Sequence, residues 1–126
     1  VCVGRASSMQ KDIYPIVLYA LCRAENEVKS GIKTADVDAV ARNIINNFGH
    51  GEHFTHALGH GVGIDIHEAP TLSPRSCDVL ENGSVITIEP GIYIEDFGGV
   101  RIEDMLYIED DAGVILTTSP KQLTEL

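Results

Sequence analysis

The stretch His53–Pro70, HFTHALGHGVGIDIHEAP, decides how the rest of the chain is interpreted. All five histidines of the 126-residue chain lie between His50 and His67, and most of this segment is otherwise glycine or apolar. A buried imidazole needs a hydrogen-bonding or metal partner. Glycines permit close approach of the backbone to such a partner. The segment therefore predicts a site that includes His56, His60 and His67.

Two common motifs do not explain this stretch. His56 and His60 have the four-residue spacing of a zincin helix, but HALGHGVG is too rich in glycine to be helical. The same glycines do not match GxGxxG or a Walker motif, so nucleotide binding is not indicated. His50 and His53 lie in the polar segment GHGEHF, and we predict no role for them.

The composition predicts an ordinary globular domain. Apolar residues make up 44% of the chain and charged residues 22%. The net charge of −10, with scattered basic residues, argues against a nucleic-acid partner. Three widely spaced cysteines favour a reducing compartment, so we predict the cytoplasm. No apolar run approaches the length of a bilayer span, so no membrane partner is predicted.

The first helix is predicted from a capping box and a helical period. Ser7 and Gln10 have the capping-box spacing, and apolar residues follow the period of a helix from 13 to 28. Pro15 lies inside this segment and predicts a kink or a later start, because it lacks an N–H and its ring clashes with the preceding turn. Gly31 is the predicted end.

A second helix is predicted to begin at Thr34. Asp36 and Asp38 lie in its first turn, where they favour the helix dipole, and apolar residues from 37 to 48 share one face. Gly49 is the predicted end. The short connection KSGIK favours an antiparallel helix pair.

Strands are predicted after residue 53. SVITIEPGIYIED and GGVRIEDMLYIED alternate and are separated by the turn segment DFGG, and GVILTT follows the turn signal DDAG. This pattern is typical of an antiparallel meander. The predicted class is α+β, with the helix pair packed on an antiparallel sheet.

The first of these hairpins makes a specific geometric prediction. A turn centred near Asp96 pairs Gly91 with Arg101 and places Glu89 opposite Glu103. Opposed carboxylates are destabilising unless a proton or a cation lies between them. With nearby histidines they supply the donors of zinc, manganese, cobalt or iron sites. The alternative, left open by the sequence, is that both glutamates are solvated on an open sheet.

Three ordered motifs carry a family resemblance. HALGHGVGIDIHEAP, TIEPGIY and GGVRIED together resemble the pita-bread metallopeptidases, in the branch of Xaa-Pro aminopeptidases and prolidases. The resemblance implies a pita-bread fold with a curved antiparallel sheet. It also implies that residues 1–126 are the C-terminal portion of a catalytic domain, whose N-terminal portion and upstream domain are absent from this sequence.

The resemblance also assigns roles to six residues. His60 matches a metal-binding histidine, and the glutamates of EPG and RIED match metal ligands. The implied metal ligands are His60, Glu89 and Glu103; the catalytic residues are His67 and Glu89; the substrate-binding residues are His56, His67 and Arg101.

The implied activity is hydrolysis of peptides with proline at the second position by a hydroxide that two divalent metal ions activate. Manganese is the expected metal, with cobalt, zinc or iron as alternatives. Two aspartate ligands of the family have no counterpart here, so we expect this chain alone to be inactive and metal-free, or to hold one ion weakly. We also expect a homodimer formed through an open sheet edge. The alternatives are a non-catalytic peptide- or protein-binding module and a creatinase-like amidinohydrolase.

Overall fold

Two helices pack against each other in the computed structural model, which describes residues 1–126. They are α1, Ser8–Glu25, and α2, Thr34–Asn47. The predicted capping box is confirmed, because the Gln10 backbone N–H donates to Ser7 Oγ and the Ser7 backbone N–H donates to Gln10 Oε1. Neither helix combines the length and the hydropathy that a bilayer-spanning segment needs.

The predicted end of α1 was wrong. The helix stops at Glu25, and the chain then turns before Gly31, which has a positive φ of 84°. Val28 is buried although it lies beyond the helix, so the apolar period continued past the last helical turn. Pro15 lies within α1, which begins at Ser8, so the later start was also wrong.

The strands form one large and one small antiparallel sheet. The strands are β1 Gly59–Gly61, β2 Glu68–Leu72, β3 Val85–Ile88, β4 Gly91–Ile94, β5 Gly98–Arg101, β6 Asp104–Ile108 and β7 Gly113–Ile115. The larger sheet has five strands in the order β2-β1-β3-β6-β7, and β4 pairs only with β5. The α+β class and the antiparallel meander are confirmed. A single cluster of 19 buried apolar residues from both helices and the sheets forms the core.

The predicted hairpin register is also confirmed. β4 pairs with β5, and β3 with β6, in one continuous register. Counting from either ladder places Glu89 opposite Glu103, at the gap between the two ladders. Their neighbours Ile88 and Ile102 are buried in the core. Because side chains alternate along a strand, the two glutamates turn away from the core.

Candidate metal and peptide site

An open cleft contains most of the predicted site residues. Its volume is about 820 Å³. Five of the six predicted residues line it: His56, His60, His67, Glu89 and Arg101. The sixth, Glu103, lies against Arg101 instead. The cleft is therefore where the spacing of the motifs predicted a site.

His60 and Glu89 form the central pair of the cleft. The Nδ1 atom of His60 lies 3.0 Å from the Gly61 carbonyl oxygen, and its Nε2 lies 3.2 Å from Glu89 Oε1. A carbonyl oxygen only accepts, so Nδ1 carries a hydrogen. A neutral His60 ring then presents the Nε2 lone pair to a carboxylate, which is repulsive unless a proton or a cation lies between them.

Thr87 fixes both members of this pair. Its hydroxyl accepts a hydrogen bond from the His60 backbone N–H and donates one to Glu89 Oε1, both over 3.1 Å. Only 3% of Thr87 is exposed, so water does not compete for these bonds. This residue was not among those predicted from the sequence. The available signal was its position two residues before Glu89, on the same face of the strand.

Arg101 lies between the two glutamates. Its Nε atom is 3.7 Å from Glu89 Oε2 and 4.0 Å from Glu103 Oε2. The Tyr93 hydroxyl, together with these two carboxylates, raises the pKa of Arg101 above its usual value. The guanidinium therefore compensates the charge of both carboxylates on this face of the hairpin.

His56 is held by hydrogen bonds at both ring nitrogens. Nδ1 lies 2.7 Å from the Ala57 carbonyl oxygen and so donates, and Nε2 lies 3.0 Å from the Tyr93 hydroxyl. In the neutral ring Nε2 accepts from that hydroxyl. Tyr93 also lines the cleft, although it was not among the residues predicted from the sequence. It belongs to the predicted strand pair, but nothing in its spacing indicated a contact with His56.

His67 contributes a more accessible ring to the same cleft. It is exposed, and its ring centroid lies 4.3 Å from that of His60 at a steep angle. His50 and His53 face each other instead, with Nδ1 atoms 3.2 Å apart, and neither lines the cleft. The structure therefore separates the five histidines as the sequence analysis divided them.

The donors fit a divalent metal ion in part. Neighbouring ligand atoms on an ion with bonds of about 2.1 Å lie roughly 3.0–3.4 Å apart, which matches the separation of His60 Nε2 and Glu89 Oε1. However, no three His, Cys, Asp or Glu side chains are gathered closely enough to hold one ion. The expected convergence of three donors is therefore not met: His60 and Glu89 lie together, whereas Glu103 contacts the Arg101 guanidinium.

Known proteins match both the sequence and the fold. The sequence pattern of metallopeptidase family M24 matches residues 1–110. An Xaa-Pro dipeptidase of Pyrococcus horikoshii is 48% identical over 121 residues, which cover 96% of this chain and 34% of that protein.

Solved structures agree. An Xaa-Pro dipeptidase from Bacillus anthracis is 47% identical with a TM-score of 0.97, covering 100% of this chain and 36% of that one. An X-Pro aminopeptidase from Thermotoga maritima is 40% identical with a TM-score of 0.96, with the same coverage.

The chain spans about a third of the length of these relatives. The likeness confirms the predicted pita-bread fold, and the family implies divalent metal ions. The ordered motifs, the cleft that they line and the match over residues 1–110 lead to one conclusion: the chain belongs to metallopeptidase family M24.

Proposed function

We propose that this chain forms one wall of the active site of a peptidase that cleaves the bond before a proline at the second position of a peptide. The observation that carries the proposal is the His60–Glu89 pair at 3.2 Å on the wall of an open cleft. The relatives named Xaa-Pro dipeptidase and X-Pro aminopeptidase support the substrate class.

The proposed metal ligands are His60, Glu89 and Glu103, and Glu103 would have to turn from Arg101 toward the other two to bind the same site. Two divalent ions, when bound, lower the pKa of water and polarise a carbonyl group. Glu89 would take the proton of the attacking water and return it to the leaving nitrogen, because its carboxylate is partly buried and held by Thr87.

The proposed substrate contacts come from the rest of the cleft. His67 is exposed beside His60 and would donate a hydrogen bond to the carbonyl oxygen as that oxygen becomes negative. His56 and Arg101 would orient the peptide. The ring of His56 already has hydrogen-bond partners at both nitrogens, so it offers a preorganised group to a substrate.

Metal titration tests the proposed ligands. With Mn²⁺ followed by electron paramagnetic resonance, we expect the chain to bind one ion weakly. E89Q and H60A should abolish this binding, whereas E95Q, an exposed glutamate of the same hairpin, should leave it unchanged. Unaltered binding by E89Q would refute the site.

Peptide experiments test the substrate class and the completeness of the site. A Xaa-Pro dipeptide should shift the ring signals of His56 and His67 more than its Xaa-Ala counterpart does, and equal shifts would refute the specificity. We propose that the chain alone does not turn over Xaa-Pro dipeptides with added Mn²⁺, because two of the family's ligands have no match here. Turnover would show that the remaining ligands suffice. Manganese, a cytoplasmic location and a homodimer stay predictions.

A further inference from the structure

The carboxylate of Asp38 in α2 is buried and accepts hydrogen bonds both from its own helix and from the chain that follows the helix. Asp38 is 1% exposed, and Arg42 contacts both of its oxygens, with Nε at 2.7 Å and Nη2 at 2.9 Å. The Leu58 backbone N–H donates to the same carboxylate over 3.2 Å. The sequence placed Asp38 in the first turn of α2 but gave no sign of its burial, which arises because the chain after α2 folds back over it.

Arg42 extends the contact to the backbone of the same segment. Its Nη1 donates to the Phe54 carbonyl and its Nη2 to the His56 carbonyl, both over 2.9 Å. The guanidinium also stacks on the Phe54 ring, 4.1 Å from the centroid. The two side chains of α2 therefore hold the backbone at residues 54, 56 and 58. Every second residue from 54 to 58 is therefore tied to α2 through its backbone, although this segment is neither helix nor strand.

Residues 54–58, held in this way by α2, place the His56 side chain in the wall of the cleft. The Phe54 ring contacts the His56 ring edge-on, with centroids 5.1 Å apart. The His56 side chain then completes its bonds to the Ala57 carbonyl and the Tyr93 hydroxyl. Gly59 follows at the start of β1 and leads directly to His60. The orientation of the His56 ring thus depends on where α2 holds its backbone.

We propose that Asp38 and Arg42 are positioning residues that set the orientation and the tautomer of His56 in the peptide cleft. The substrate role of His56 rests on the proposed function, but its orientation does not. A purely stabilising ion pair would need only opposite charges. A positioning device needs the planar guanidinium, because one ammonium group cannot reach two carbonyls and both carboxylate oxygens together.

The substitution R42K separates these two roles. Histidine rings of the ¹⁵N-labelled chain are observed by long-range ¹H–¹⁵N correlation, without metal or substrate, near pH ~8.5 where a histidine is normally neutral. In the unaltered chain we expect the Nδ1–H tautomer of His56 to dominate. In R42K we expect the ratio of Nδ1–H to Nε2–H to fall about fivefold, the loss of one net hydrogen bond of about 1 kcal/mol. R23K, an exposed arginine of α1, is the matched control and should change nothing.

A wild-type His56 signature in R42K would overturn the proposal, since Arg42 would then only neutralise Asp38. If R42K does not fold, D38N serves instead, because an amide keeps the volume but loses one acceptor of Arg42. Its His56 ratio should fall in the same direction, and an unchanged ratio would overturn the proposal equally. Metal binding reports on His60 and Glu89, so a failure of the proposed site and a failure of this positioning role give different results.

Discussion

A buried carboxyl pair joins α1 to the sheet and makes stability depend on pH. Glu25 at the end of α1 has a buried Oε1 with no hydrogen-bond donor, beside Asp104 at the start of β6. Asp104 is itself 1% exposed, lies 2.9 Å from Lys121 Nζ and accepts from the Thr117 hydroxyl. Asp104 therefore has its own cationic and hydroxyl partners, and a proton on Glu25 would let the Glu25 carboxyl donate to the Asp104 carboxylate.

This environment separates the two titrations. Burial, followed by the hydrogen bond and the charge of Asp104, raises the pKa of Glu25 from 4.5 to about 8. Burial works against ionisation of Asp104, but hydrogen bonds from Glu25, Thr117 and Lys121 hold its pKa below its usual value. Between about pH 4.5 and pH 8 the pair holds one proton in the folded chain, whereas both groups are largely ionised in the unfolded chain.

The sign and the size of the effect follow. The pKa of Glu25 is raised by folding, so its contribution to stability is complete below about pH 4.5 and is lost as the pH rises to about 8. The ceiling is about 1.4 kcal/mol per pH unit. Glu25 is partly exposed, so screening reduces the loss to roughly 1–3 kcal/mol across the window. Asp104 is ionised in both states there and adds no slope.

Urea unfolding near pH ~5.5 and ~8.5 measures this loss. E25Q carries an amide that donates as the protonated acid does, so its free energy of unfolding should lose roughly 1–2 kcal/mol less than the wild type over that interval, which covers most of the window. E27Q, an exposed glutamate just beyond α1, is the matched control and should keep the wild-type pH dependence. If E25Q keeps that dependence too, the shared proton is not where the structure indicates.

Three further predictions concern the site and its supports. T87V removes the hydroxyl that holds Glu89 and should weaken Mn²⁺ binding about tenfold in a titration, with T87S restoring it; equal affinity in T87V would contradict this role. G59A places a Cβ into the Thr87 carbonyl and should lower the free energy of unfolding by about 2 kcal/mol or more, whereas an unchanged free energy would show that the backbone there can shift to accept the added atom. S7A removes the α1 cap and should cost about 1 kcal/mol in urea unfolding, whereas no loss would show that the cap is dispensable.

The hairpin could be predicted from sequence because local rules determine it. Alternation assigns each side chain to a face, and a tight turn at Asp96, which has a positive φ of 60°, fixes the register. Together they place Glu89 opposite Glu103 without any knowledge of the remaining fold. The histidine motif predicted His60 as a further site residue. The structure brings it to Glu89 because β1, which carries His60, pairs with β3, which leads to Glu89.

The supports of the site could not be predicted in the same way. Asp38 has the sequence context of an ordinary helical acid, and only the return of residues 54–58 across α2 buries it. The contact of Tyr93 with His56 joins groups 37 residues apart and leaves no periodic signal. The end of α1 was misplaced for a related reason, since Val28 serves the core from a turn. Long-range packing decided each of these features.

The hydrogen bonds from Arg42 to backbone carbonyls have a consequence for how position 56 of this chain can vary. A carbonyl is common to all residue types, so the side chain at position 56 can be exchanged without dismantling the contacts that hold its peptide group. Selection could then sample new cleft chemistries at that position while the surrounding chain path persists. The same property makes position 56 a practical starting point for libraries aimed at altered peptide preference.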